Sequence, residues 1–94
     1  MKANLSLQVI PIKQENPYPV IDQALQIIKD SKIKHIVGPF STSLEGELPV
    51  LMALIDQIKD TCLQACTGEL ILNIQIHLKK DQDVTFEQKI GAWA

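Results

Sequence analysis

Arginine is absent from this chain: all nine basic residues among its 94 are lysines, and the formal net charge is -2. The planar guanidinium group of arginine grips a phosphate or a carboxylate at two points, and a lysine cannot do this. A chain with no arginine and no excess of positive charge is a poor candidate for binding DNA or RNA. We therefore expect no nucleic-acid partner.

Long apolar runs are also missing. The first residues, Met1–Asn4, lead directly into alternating apolar and polar positions, without the apolar run of a signal peptide or a bilayer-spanning segment. We expect a cytoplasmic protein with no membrane partner. Cys62 and Cys66 are the only cysteines, and they lie four residues apart in a helical pattern, where a disulfide is geometrically unfavourable. We expect two reduced, packed thiols.

The familiar catalytic motifs are missing as well. The sequence has no Gly-rich phosphate loop, no Gly-x-Ser-x-Gly turn and no cysteine or histidine spacing typical of a metal site. His35 and His77 are single histidines on separate predicted strands, where a surface or interface position is commoner than a catalytic one. We predict a protein that is not an enzyme and that holds no metal and no resident cofactor.

Strands are predicted wherever apolar and polar residues alternate with a period of two. The alternation is clearest over Leu70–Leu78, and it also predicts a strand over Asn4–Ile12. Two shorter strands are expected within Lys34–Phe40 and Ser41–Glu45, and Gly46 is expected to end the second of them.

Helices are predicted where apolar residues recur every three to four positions. This spacing predicts one helix over about Pro19–Asp30 and another that starts near Pro49 and stops before Gly68. Gly68 is expected to adopt the left-handed conformation that often terminates a helix. Thr85 and Gln88 fit a capping box, so a short C-terminal helix is expected to dock on the rest of the chain.

The predicted element order is strand, helix, strand, strand, helix, strand. Right-handed crossovers then place both long helices on the same face of the sheet. We therefore predict a single α+β domain over residues 1–94. Its architecture is a ferredoxin-like βαββαβ sandwich, with a four-stranded antiparallel sheet, two helices on one face and a short C-terminal helix.

The face without helices is predicted to carry polar side chains from three strands. If the first strand is central, these side chains converge: Ser6, Gln8, Ser43, Glu45, Asn73 and Gln75. Such a patch offers hydroxyls, amides and one carboxylate, which suits a polar heterocycle with a positive charge. The alternative is an ordinary sheet face in contact with water.

Four stretches of the sequence carry a family resemblance. They are Ser6-Leu7-Gln8-Val9-Ile10-Pro11, Tyr18-Pro19-Val20-Ile21-Asp22, Val37-Gly38-Pro39-Phe40-Ser41-Thr42-Ser43-Leu44-Glu45-Gly46-Glu47 and Val84-Thr85-Phe86-Glu87-Gln88-Lys89. In this order and spacing they resemble the thiamine-binding-protein family, in its small single-domain form. The third stretch is the most specific.

The resemblance implies a non-catalytic subunit that binds thiamine or its hydroxymethylpyrimidine precursor. It also implies a homo-oligomer, a dimer or a tetramer assembled through sheet faces. The ligand-binding residues that it implies are Ser6 and Gln8 on the first strand, with Thr42, Ser43 and Glu45 from the Thr-x-x-Glu-Gly region. Asn73 joins them by its predicted position.

Within that interpretation, Glu45 would balance the charge of the ligand or accept from its amino group. Phe40 or Trp93 would offer an aromatic face to a cation, although a place in the core is the commoner expectation for both. A second possibility is an oligomeric regulatory or assembly module that senses another small metabolite such as an amino acid, because such modules share the βαββαβ order.

Overall fold

The computed structural model describes residues 1–93 and contains the predicted elements in the predicted order. They are β1 (Lys2–Ile12), α1 (Tyr18–Ser31), β2 (Lys34–Val37), β3 (Thr42–Glu47), α2 (Leu48–Ala65), β4 (Glu69–His77) and α3 (Phe86–Ile90). The four strands pair in the order β2-β3-β1-β4, and each pair is antiparallel. The ferredoxin-like βαββαβ sandwich is therefore confirmed, with β1 between β3 and β4 as expected.

The predicted end of one strand is wrong. Gly46 does not end β3, because β1 begins early enough for Ala3 to pair with Gly46 and for Lys2 to pair with Glu47. The short strand β2 lies within the expected Lys34–Phe40 stretch and stops at Val37, since its pairing with β3 ends where Val37 meets Thr42. The other ends agree with the prediction to within two residues, which is the ordinary uncertainty of such boundaries.

Gly68 has a different role from the predicted one. The helix α2 does stop before it, but no glycine in the described part of the chain has a positive φ. Gly68 lies against the end of β1, where a Cβ would be 2.4 Å from the carbonyl oxygen of Ile12. Glycine is needed here for close approach of two backbones. The left-handed position at a helix end is Lys32 after α1, with a φ of 61°.

The hydrophobic core lies between the sheet and the two long helices. Leu5, Leu7 and Leu44 point from the sheet toward buried residues of both helices, such as Ile28 and Ile58. Burying a leucine or isoleucine side chain contributes about 1.5–3 kcal/mol, so this layer supplies much of the driving force for folding. No helix within residues 1–93 is long and apolar enough to span a bilayer.

Cys62 belongs to this core and Cys66 lies at its edge. The thiol of Cys62 is fully buried and lies 3.6 Å from the carbonyl oxygen of Val20, while Cys66 is half-buried. Both thiols are free, as expected. Burial raises the pKa of the Cys62 thiol, so its reactive thiolate form is disfavoured.

Candidate functional site

The C-terminal segment that contains Val84 and α3, which we call the tail, covers one end of the helix-free face of the sheet. The backbone N–H of Val84 donates to the carbonyl of Lys2 at 2.9 Å, and the Asn4 side chain donates to the carbonyl of Val84 at 3.0 Å. Val84 is fully buried as a result. The tail continues into α3, whose predicted capping box between Thr85 and Gln88 is confirmed.

Glu45 lies beneath this tail and not in a wet cleft. Only 4% of the residue is exposed. Its Oε1 accepts a hydrogen bond from the backbone N–H of Phe86 at 2.6 Å, and its Oε2 is 3.3 Å from Lys34 Nζ. The carboxylate thus holds the first residue of α3 on the sheet. Whether Glu45 also contacts a ligand stays a prediction.

Lys34 links the sheet to α3 through two carboxylates. Its Nζ bonds Glu87 at 2.5 Å as well as Glu45, and it lies 5.4 Å from the centre of the Phe86 ring. The hydrogen bond to Glu87, with a smaller contribution from Glu45, raises the pKa of Lys34. The same bond lowers the pKa of Glu87. The charged forms of Lys34 and Glu87 are therefore both favoured. The positive charge of Lys34 faces the side of the tail that lies toward the sheet.

A cleft of about 490 Å³ lies on the helix-free face beside α3. We call it the sheet cleft. Its polar floor is formed by Ser6, which lies between Ser43 and Gln75 in the strand ladder, and α3 contributes Lys89 to its wall. Two of the six predicted ligand residues, Ser6 and Ser43, are therefore brought together here.

Gln8 and Asn73 are neighbours on the same face. They are partners in the ladder between β1 and β4, and the Asn73 amide donates to Gln8 Oε1 at 3.2 Å. Asn73 is exposed and lies outside the lining of the sheet cleft. One hydrogen bond thus links the two amides across the strands, and neither residue lines the sheet cleft.

Thr42 faces the opposite side of the sheet. It is paired with Leu7 and 5% exposed, and it lines a second cavity of about 270 Å³ between α1, the end of β1 and the turn from β2 to β3. We call this the loop cavity. Gln8 also lines it.

Two aromatic residues, Tyr18 and Phe40, line the loop cavity. The expectation that Phe40 lies in the core is wrong, since 82% of it is exposed, and the same holds for Trp93 at 87%. Tyr18, 69% exposed, was not singled out as a site residue. Its position between Pro17 and Pro19, where a helix begins after a loop, was the available signal.

The six predicted ligand residues are therefore distributed over the two cavities and their surroundings, and their role in ligand binding stays a prediction. Ser6 and Ser43 line the sheet cleft, Thr42 and Gln8 line the loop cavity, Asn73 pairs with Gln8, and Glu45 anchors the tail. Within residues 1–93, no three His, Cys, Asp or Glu side chains are grouped as a metal site would require.

Comparisons with known proteins agree with this fold. The profile of the family described as thiamine-binding protein matches residues 5–94. A UPF0045 protein of Clostridium perfringens is 30% identical over 91 residues, which is 96% of this chain and 95% of that protein. The chain therefore belongs to the thiamine-binding-protein family.

Two solved structures are similar over the whole chain. A DUF77 domain of unknown function from Bacillus cereus has a TM-score of 0.91 and 30% identity, with 100% of this chain and 91% of that one covered. A protein from Thermotoga maritima, provisionally assigned to thiamine biosynthesis or salvage, has a TM-score of 0.90 and 26% identity, with both chains covered completely.

Proposed function

We propose that this chain is a non-catalytic binding protein for thiamine or its hydroxymethylpyrimidine precursor, and that the pyrimidine ring is held in the loop cavity. The proposal includes a cytoplasmic protein that works as a homo-oligomer. The observation that carries it is the convergence at this cavity of two stretches that resemble the family, Tyr18–Asp22 and Val37–Glu47. They are distant in sequence, and residues of both line the same cavity.

The chemistry of the lining supports a flat, polar ring as the ligand. Tyr18 and Phe40 offer exposed aromatic groups, which favour stacking and attract a cation. Thr42 and Ser41 bring hydroxyls that can donate to or accept from ring nitrogens and an amino group. These groups bind and orient a ring, which is the role that we propose.

The size of the cavity also suits a compact ligand. Its volume of about 270 Å³ is slightly below the range of roughly 300–1,000 Å³ typical of pockets for drug-sized molecules. Its base is apolar, with Ala24 and Ile28 of α1 among the lining residues. A single heterocycle with a short polar substituent would fit this combination, and the rest of thiamine would extend past the exposed rings.

Titration calorimetry tests the proposal with thiamine, hydroxymethylpyrimidine and a panel of amino acids. We expect Thr42→Val to keep the shape and remove one hydrogen bond of about 1 kcal/mol, which weakens the pyrimidine affinity roughly fivefold. Phe40→Ala removes an exposed ring and is expected to weaken thiamine binding by a similar factor. Thr61→Val on α2 and Trp93→Ala are the matched controls.

The same titrations separate the two cavities. If the ligand instead occupies the sheet cleft, Ser43→Ala and Ser6→Ala would weaken binding while Thr42→Val would not, and the proposed location would be wrong. Binding of an amino acid without binding of either pyrimidine would instead favour the regulatory module. No heat from any of the three ligand types at millimolar concentration would contradict the proposed function itself.

A further inference from the structure

The side chains of the helix-free face form rows across the four strands, because directly paired residues point to the same side of a sheet. One row adjoins the tail and consists of Lys34, Glu45, Asn4 and His77. The tail is bonded to this row through Glu45 and Asn4. The next row is the floor of the sheet cleft and consists of Ile36, Ser43, Ser6 and Gln75. The cleft is therefore a step between the tail and the uncovered sheet.

The floor of the sheet cleft is polar toward β4 and apolar toward β2. Gln75 offers an amide, and the two serines beside it offer half-buried hydroxyls. His77, two residues farther along β4, adds an imidazole. All of these groups can donate hydrogen bonds. Ile36 ends the row on β2, so a molecule that lies along the floor meets donors at one end and an apolar side chain at the other.

The tail supplies the wall of the cleft from one face of α3. Phe86, Lys89 and Ile90 all line the cleft, and their spacing of three and four residues puts them on the same side of the helix. The wall therefore repeats the character of the floor, since it combines two apolar side chains with one ammonium group.

Lys89 gives the cleft its positive charge. None of the residues that line the cleft is Asp or Glu, and no ion pair formed within residues 1–93 includes Lys89. Lys34 is also near the tail, but it is already paired with Glu45 and Glu87. The cleft thus combines one lysine charge with several neutral donors.

We propose that the sheet cleft is a second binding site, separate from the loop cavity, for an organic anion in which a carboxylate is joined to an apolar body. Lys89 and the donors of the floor bind the carboxylate, and the apolar body packs against Ile36 and Ile90. A carboxylate carries a single charge and matches one lysine, whereas a phosphate ester carries roughly two. The volume of about 490 Å³ lies within the range of roughly 300–1,000 Å³ typical of pockets for small organic molecules.

An NMR titration of the isotope-labelled protein with phenylpropionate tests the site and its location. We expect the backbone amide signals of Ser6, Ser43 and Gln75 to shift. Phenylpropanamide keeps the shape without the charge, and it should bind about tenfold more weakly. Inorganic phosphate has charge without an apolar body and should also bind more weakly. An amide or a phosphate that binds as tightly as the acid would overturn the proposal, and so would shifts confined to the loop cavity.

Two substitutions test the assigned contacts. Lys89→Gln should weaken phenylpropionate binding about tenfold. Lys29→Gln is the matched control, because both lysines are exposed and lie in the last turn of their helices, and it should bind as the wild type does. Ile36→Thr keeps a β-branched side chain but removes apolar contact, which should weaken binding about fourfold. Unchanged affinity in Lys89→Gln, with an unchanged melting temperature, would overturn the proposal.

Competition with thiamine separates this site from the one proposed above. An excess of thiamine should leave the phenylpropionate affinity unchanged. Displacement of phenylpropionate by thiamine would show one shared site and overturn the second one. Failure of phenylpropionate to bind would overturn this inference alone, because it leaves the calorimetry with thiamine and hydroxymethylpyrimidine unaffected.

Discussion

Thr42 and Glu45 are two buried polar residues on the same strand, but they face opposite sides of the sheet and their surroundings differ. On the helix-free side, Glu45 is bonded to Phe86 and to Lys34, so its carboxylate is used by the fold. On the helix side, Thr42 lines a cavity with exposed aromatic rings. A buried polar group that the chain itself satisfies stabilises structure, whereas one that faces a cavity is available to a ligand.

The two phenylalanines of the chain repeat this contrast. Phe86 is 7% exposed and packs under Lys34 in the tail, whereas Phe40 is 82% exposed at the loop cavity. The ring of Phe86 is covered by the rest of the chain, whereas the ring of Phe40 is exposed to solvent. Substitutions at these two regions are expected to separate stability from ligand binding, from the largest effect to the smallest.

The largest effect is expected for Phe86→Ala. Truncating a buried phenylalanine costs about 3 kcal/mol, and in this case it also loosens the tail over Glu45. Phe40→Ala is the matched variant, and because its ring is exposed the free energy of unfolding should change by no more than about 0.5 kcal/mol. Urea unfolding measures the free energy of unfolding of both proteins. Equal losses in the two variants would contradict the difference between the tail and the loop cavity.

A smaller loss is expected for Glu45→Gln. The amide keeps the shape but removes a charge that holds Phe86 and Lys34, and hydrogen bonds to charged groups contribute roughly 1.5–3 kcal/mol. We expect the melting temperature to fall by about 5–15 °C for a domain of this size. Glu47→Gln, at an exposed position, is the control.

Calorimetry on the same variant decides whether Glu45 also binds the ligand. Weaker thiamine or hydroxymethylpyrimidine affinity in the folded variant would support the ligand role predicted from the family resemblance. Unchanged ligand affinity would show that Glu45 anchors the tail and does not bind the ligand.

Cysteine replacement should have a more modest effect. Cys62→Ala removes a fully buried thiol and should cost about 1 kcal/mol, whereas Cys66→Ala, at the edge of the core, should cost less. Replacing both should leave ligand affinity unchanged. Rapid alkylation of Cys62 in the native protein by a polar reagent would contradict its burial and indicate a reactive thiol.

The smallest effect concerns pH and the exposed pair of Lys34 and Glu87. The pKa of Glu87 is lowered in the folded protein, so its contribution is present above the unfolded pKa of about 4.3 and is lost as the pH falls through the folded value. The pKa of Lys34 is raised, so its contribution is lost only as the pH rises through its folded value, above about 10.4.

Melting curves of the wild type and Glu87→Gln check this. The two melting temperatures should differ slightly at neutral pH, converge on acidification, and converge again in high salt, which screens exposed charges. A difference that grows at low pH would contradict the assigned direction.

Much of the fold could be predicted from local patterns. The period-two alternation in β4, the helical spacing in α1 and α2, and the capping box of α3 each depend on neighbours within a few residues, so the sequence alone identifies them. The same alternation correctly placed Ser6, Ser43 and Glu45 on the helix-free face. Resemblance over four stretches pointed to the family.

What the tertiary structure alone decided was which surfaces are covered. No local pattern shows that the tail folds over Glu45, because the contact between Glu45 and Phe86 joins residues 41 positions apart. Nor does a pattern show that Tyr18 and Phe40 line one cavity, or that Gly68 meets the end of β1. Periodicity determines the direction of a side chain within its element, whereas burial and bonding depend on which distant segment packs against that element.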